Sequence, residues 1–182
     1  MGQQPPQLEM RLDPVPALPP AEVAEGYRLR VYREGDAAAW CRLVRDCIGG
    51  DCTEQSLRET ILGARAFAAE DLLFAAHGEE VVGTAWALRK ASLPAEVGYV
   101  HMVGVDPAHR GRGLGRALLI GVLRRFREVA CRAAILHTDD FRLPALRLYR
   151  ALNFAPVLSH PSHAGRWREV EAELAGPREG AS

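Results

Sequence analysis

The run from Val103 to Ala117 carries the densest chemical signal in the chain. Gly111, Gly113 and Gly115 stand at alternate positions with Arg110, Arg112 and Arg116 among them. An apolar stretch ending Val103-Gly104-Val105 precedes them, and a helical pattern of Leu114, Leu118, Val122, Phe126 and Val129 follows. Asp106-Pro107 separates strand from turn, because proline fixes φ and lacks an N–H. A strand, a glycine-rich turn and a helix together suit an anion. The helix start offers unpaired N–H groups and the positive end of its dipole, and glycine lets the backbone come close to a ligand. Two phosphate loops are excluded by spacing. A Walker loop ends in Gly-Lys-Ser/Thr, whereas Gly115 is followed by Arg116. A dinucleotide fingerprint needs G-x-G-x-x-G, yet the last position falls on Arg116 or Leu118. A surface strand–helix turn with incidental arginines is the bland alternative.

Other reactive side chains give less. His137, His160 and His163 invite a metal reading, but His160-x-x-His163 lies in a polar loop without a clear carboxylate or cysteine partner, so no metal is expected. Cys41, Cys47, Cys52 and Cys131 contain no C-x-x-C pair, and free, largely buried thiols in a reducing cytosol are expected.

The elements that must position the run can be read in order. Residues 1–25 hold half of the twelve prolines and read as a disordered arm. Tyr27 to Tyr32 alternates as a strand. Asp36 is placed to cap a helix from Ala37 to Ile48, with Trp40, Leu43, Val44, Cys47 and Ile48 on one face and Gly49-Gly50 as its stop. A short helix fits Thr53 to Leu62. Leu72–His77 and Val81–Leu88 form a hairpin about Gly78-Glu79-Glu80, and Val97–Val105 leads into the glycine turn. Cys131–His137 contains the continuous apolar run of a strand covered on both faces. Pro144 opens a helix to Leu152, Asn153 suits the left-handed position after it, and Phe154 to Val157 is a strand. Arg166 to Leu174 reads as a final strand, and the residues after Gly176 as a tail. The sum is an α/β domain over 26–175, with a mixed sheet and helices on both faces, followed by a tail over 176–182.

At 182 residues the chain has the length of one domain with a core of its own. Lys+Arg and Asp+Glu both number 23, which argues against a general nucleic-acid binder. Lys90 is the only lysine, read as genomic composition. No apolar run reaches membrane-spanning length and the N-terminus lacks a signal core, so a cytoplasmic protein is expected, as monomer or homodimer.

Arg110-x-x-Gly113-x-Gly115, preceded by Val-x-Pro, resembles the acyl-CoA pyrophosphate loop of the GNAT superfamily of N-acetyltransferases. Ala145-x-x-x-Tyr149-x-x-x-Asn153-Phe154 is similar to that family's helix motif N-x-x-A-x-x-x-Y-x-x-x-G-F, with Arg142 at the family Asn and Asn153 at its Gly. The order of elements from about Tyr27 to Leu174 agrees. Within the superfamily, Gly98 to Gly115 and the Arg166-Trp167 ending are similar to mycothiol-synthase-type domains.

The resemblance implies a central, mostly antiparallel sheet with a splayed parallel strand pair. It implies acetyl-CoA as cosubstrate and an amine acceptor as partner. The cofactor's pantetheine arm would meet the backbone of Val103, Gly104 and Val105, and its pyrophosphate the run Arg110, Gly111, Arg112, Gly113, Leu114, Gly115 and Arg116. Tyr149 would protonate the departing thiolate. The family's usual glutamate base falls on Tyr99, which leaves His101, Glu96 or water to take the amine's proton. Asp139 and Asp140 either bind a cationic amine or cap the next helix. The rival to an enzyme is a catalytically silent acyl-CoA sensor of the same fold.

Overall fold

Alternating apolar residues make the strands, and 3.6-residue spacing makes the helices that cover them. The structure, a computed structural model, describes residues 5–57 and 67–176. The chain divides into two units, Pro14–Ala134 and a second made of Met1–Asp13 with Ile135–Ser182.

In the larger unit, β2 (Tyr27–Val31), β3 (Leu72–His77), β4 (Glu80–Leu88) and β5 (Val97–Val105) lie side by side in that order, each antiparallel to the next. Helix α1 (Ala37–Leu43) runs on into a π-helical turn, Val44–Ile48. Trp40, Cys41, Leu43 and Val44 bury against Leu72, Phe74, Val81 and Trp86. Helix α3 (Leu114–Glu128) buries Leu118, Leu119, Val122, Leu123 and Phe126. A Cβ built on Gly83 would lie 3.1 Å from Leu118 of α3, whereas Trp86 belongs to the α1 cluster. Three residues apart on one strand, these two positions point to opposite faces, so α1 and α3 cover the two sides of the sheet.

Strand β5 is not regular. Gly104 pairs with Thr84 and His101 with Trp86, so β5 spends three residues where β4 spends two. Met102, with φ of 49°, is in the left-handed region inside this β-bulge.

The smaller unit holds β1 (Leu8–Leu12), β7 (Ala155–Val157) and most of β6 (Ala133–Thr138), in the order β6-β1-β7. β1 and β7 are antiparallel, with Glu9 opposite Val157 and Arg11 opposite Ala155. Helices α4 (Leu143–Ala151) and α5 (His163–Ala175) belong to this unit.

Several expectations are corrected. The proline-rich arm contains a strand: Leu8, Met10 and Leu12 alternate and are buried, while the prolines lie on either side of it. The expected last strand is α5, because Trp167 and Val170 are buried at helical spacing with His163 one turn before them. Asp36 occupies the cap position of α1 but makes no cap bond; its carboxylate takes both Arg30 nitrogens, at 2.6 and 2.7 Å, and the Arg33 N–H. The short helix expected over 53–62 is described only as α2 (Glu54–Leu57), and its remainder and most of the expected tail lie outside the described residues. Cys41 and Cys52 are joined as a disulfide, because the chain reverses at Gly49-Gly50 and brings the second sulfur back to α1; Cys47 and Cys131 are free. Among the described residues, no helix is long and apolar enough to cross a membrane.

Candidate active site

The glycine turn is built outward from Asp106. Its Oδ1 accepts the Ala108 N–H at 3.0 Å, starting the 3-10 turn Pro107–His109, and its Oδ2 accepts from Arg42 Nη1 at 3.0 Å. The Ala108 N–H first, and Arg42 after it, hold the Asp106 carboxyl below its usual range. Arg42 also donates to the Val81 carbonyl at 2.6 Å, which ties the turn to β4.

Gly111 and Gly113 then take φ of 77° and 73°, the left-handed region that glycine enters freely. Gly113 is the N-cap of α3 and has no side chain to cap it. The first intrahelical bond runs from the Ala117 N–H to the Gly113 carbonyl, at 3.0 Å. The N–H groups of Leu114, Gly115 and Arg116 therefore precede the ladder, at the positive end of a fifteen-residue helix. A Cβ built on Gly111 or Gly113 would meet nothing within 4 Å. The two glycines thus leave room beside a helix start, where free N–H groups and the helix dipole attract anions.

The arginines of the turn brace it. Arg110 Nε donates to the Val105 carbonyl at 3.1 Å, and Arg112 Nη1 to the Ala108 and Arg110 carbonyls at 3.0 and 3.2 Å. Their charges remain at the loop while their hydrogen bonds set its shape. Gly104 lies under the π-helical turn, where a Cβ would come within 2.9 Å of Ile48. The π-helix thus packs on the backbone of β5 beside Val103 and Val105.

His101 lies on the α1 side of β5, with its ring 5.5 Å from both Trp86 and Tyr99. Burial, and after it the Lys90 charge, push its pKa down from 6.5 to about 4. The imidazole is therefore neutral at neutral pH, with a lone pair free to take a proton. Lys90 Nζ stands 3.4 Å from the Tyr99 ring centroid, a cation–π contact. Glu96 is exposed, and its carbonyl accepts the Arg132 and Ala133 N–H groups, so it anchors the start of β5.

Tyr149 belongs to the smaller unit. It is 6% exposed on α4, one turn after Ala145, with its ring 6.0 Å from Phe154. Asn153 follows the helix with φ of 66°, the left-handed conformation expected of it. Neither aspartate caps α4 through its side chain. Asp139 accepts from Arg142 Nε at 2.9 Å and from Gln7 at 2.9 Å. Asp140 is clamped on two oxygens by Arg166, which holds its carboxyl below the usual range. Asp140 is thus satisfied by Arg166, in place of either alternative considered for it, an amine contact or a helix cap. The structure places His101 and the run from Val103 to Arg116 in one unit and Tyr149 in the other. Among the described residues, no three His, Cys, Asp or Glu side chains gather as a metal site.

Sequence reasoning passed over Lys90. Its one signal was being the single lysine in an arginine-rich chain.

Residues 25–154 match the Acetyltransferase (GNAT) family. A mycothiol acetyltransferase from Sanguibacter keddieii is 34% identical over 144 residues, covering 75% of this chain and 46% of the relative. The chain thus spans about half the length of the curated relatives it matches. A GCN5-related N-acetyltransferase from Sphaerobacter thermophilus superposes with a TM-score of 0.68 at 26% identity, over 84% of this chain and 50% of that one. The diaminobutyrate acetyltransferase of Paenibacillus lautus, solved with its substrate L-2,4-diaminobutyric acid and coenzyme A, shares the fold. Its TM-score is 0.57 at 21% identity, over 69% of this chain and 73% of that one.

Proposed function

Because the chain belongs to the GNAT acetyltransferase family, we propose that it moves an acetyl group from acetyl-CoA to the primary amine of a small molecule. The observation that carries this reading is the uncapped start of α3. Three N–H groups and two left-handed glycines with open space beside them suit a pyrophosphate. The mycothiol acetyltransferase relatives support acetyl transfer, and a fold neighbour solved with coenzyme A supports the donor.

In this reading Gly111 to Arg116 hold the pyrophosphate, Arg110 and Arg112 fix the loop's shape, and the backbone of Val103, Gly104 and Val105 aligns the pantetheine arm. The acceptor nitrogen attacks the thioester carbonyl carbon. The N–C bond forms as the C–S bond breaks, the amine's proton leaves through His101, and the thiolate gains a proton from Tyr149. A neutral imidazole has the correct protonation for its part. Its low pKa makes it a relay that passes the proton to water rather than a store for it. The Tyr149 hydroxyl can donate a hydrogen bond to the departing thiolate as the C–S bond breaks.

The depressed basicity of His101 also favours a second reading, a domain that binds acyl-CoA without turning it over. Release of free thiol from acetyl-CoA, measured across a panel of amines with products identified by mass, separates the two. Amine-dependent release with an acetylated product supports the enzyme. Acetyl-CoA binding without release on any amine refutes it.

A further inference from the structure

At the end of the β4–β5 pair opposite the glycine turn lies a cleft of about 630 Å³. That volume suits a small-molecule ligand. Phe67, Trp86 and Leu88 give it an apolar wall, with the Phe67 and Trp86 rings edge to face at 6.5 Å. Trp86 is also the ring 5.5 Å from that of His101, so one side chain joins the cleft to the proposed proton relay.

Three charged residues line the same cleft: Asp71, Arg89 and Lys90. Two of them answer one another. Asp71 is 3% exposed and receives Arg125 Nε at 2.8 Å, the Ala68 N–H at 3.2 Å and Arg89 at 3.7 Å. Its negative charge is spent on two guanidiniums. Lys90 has no carboxylate partner among the described residues; its ammonium rests on the Tyr99 ring instead. The Lys90 charge reaches His101, whose affinity for a proton it lowers. Among the described residues, Lys90 is thus a cation with no counter-charge in an apolar cleft, two aromatic contacts from the relay histidine.

An ammonium partly withdrawn from water gains most from an anion that brings charge and hydrogen-bond acceptors to it. A singly charged carboxylate balances one ammonium, whereas a phosphate dianion calls for a second cation, and Arg89 is already turned to Asp71. Resting on the acyl-transfer reading above, we propose that the acceptor is an amino-acid-like amine: its nitrogen lies at His101, its carboxylate on Lys90, and its apolar side chain against Phe67, Trp86 and Leu88.

The test uses matched amines that differ only in a carboxylate: phenylalanine with phenethylamine, tryptophan with tryptamine, and ε-aminocaproate with hexylamine. For the best pair, kcat/KM is expected to favour the carboxylate form by about 10- to 100-fold, the usual worth of a charge-assisted hydrogen bond. Lys90→Met should bring that ratio to within about threefold of one, and Lys90→Arg should keep most of it. The ratio is the readout because losing Lys90 also changes the field at His101 and moves both rates together. Circular dichroism and the acetyl-CoA melting shift establish that the variants are folded. Turnover on amines with no preference for a carboxylate, or a preference that survives Lys90→Met, overturns the inference and leaves acyl transfer standing. If no amine turns over, calorimetric titration of the same pairs into the CoA-loaded protein reads the ratio as affinities. A Lys90-dependent ratio then supports the site on its own, and equal affinities refute it.

Discussion

Replacing His101 by glutamine should remove a defined part of the protein's acid sensitivity. In the unfolded chain His101 takes a proton near pH 6.5; in the native state burial first, and Lys90 second, hold it to about 4. Between those values the unfolded state binds more protons, so stability rises with pH. The contribution is complete above about pH 6.5, falls away as pH drops towards 4, and is lost below that. A displacement of this size corresponds to about 3 kcal/mol, a large share of the ~5–15 kcal/mol that holds a typical domain together. Asp36, Asp106 and Asp140, each held below its ordinary value, also add acid sensitivity, but to both proteins alike. Urea unfolding of wild type and His101→Gln from pH 7.5 to 4 isolates the histidine in the difference. The variant's stability relative to wild type should improve by about 3 kcal/mol across that range. Curves that stay parallel to within about 0.5 kcal/mol would show His101 to be solvated, and the relay argument would lose its basis.

Gly113→Val combined with Gly115→Val should abolish the rise in melting temperature that acetyl-CoA produces. The strain of valine at φ of 73° should cost about 1–2 kcal/mol but leave the fold, and normal cofactor affinity in the folded variant would refute the cradle. Tyr149→Phe should lower kcat by about 10²–10⁴-fold with little change in acetyl-CoA affinity; a kcat within about threefold of wild type, with chemistry rate-limiting, would exclude the acid role. Removing residues 1–13 should lower the melting temperature markedly, since Leu8, Met10 and Leu12 are buried at about 1.5–3 kcal/mol each. An unchanged melting curve would return the segment to a loose arm.

What the sequence revealed depended on whether the signal was local. The glycine turn was legible because its glycines, arginines and helix start are consecutive, and the backbone donors follow from spacing alone. Asn153 was legible for the same reason, as one residue in one conformation. Strand β1 was obscured by composition: six prolines suggested disorder, although none falls within Leu8–Leu12. Helix α5 reads as a strand because Val170, Ala172 and Leu174 alternate with glutamates, whereas burial follows the period from His163 through Trp167 to Val170. The state of His101 and the place of Lys90 were not readable at all. Both depend on β4 pairing with β5, which sets Trp86 against His101 and Leu88 against Tyr99.

The left-handed residue at Met102 shifts the phase of β5. Along a plain strand, residues three apart face opposite ways; here His101 lies beside Trp86, and Gly104 lies beneath Ile48 on that same side. The even–odd rule that holds from Val97 to His101 is therefore inverted from Val103 onward. This makes the strand intolerant of changes in length at the bulge. Glycine or asparagine at 102 should fit, since both adopt this conformation readily. Loss of one residue there would return the strand to even pleating and turn either the relay histidine or the approach to the glycine turn onto the α3 side. Distant relatives of this chain should accordingly keep the count between the histidine position and the glycine turn constant.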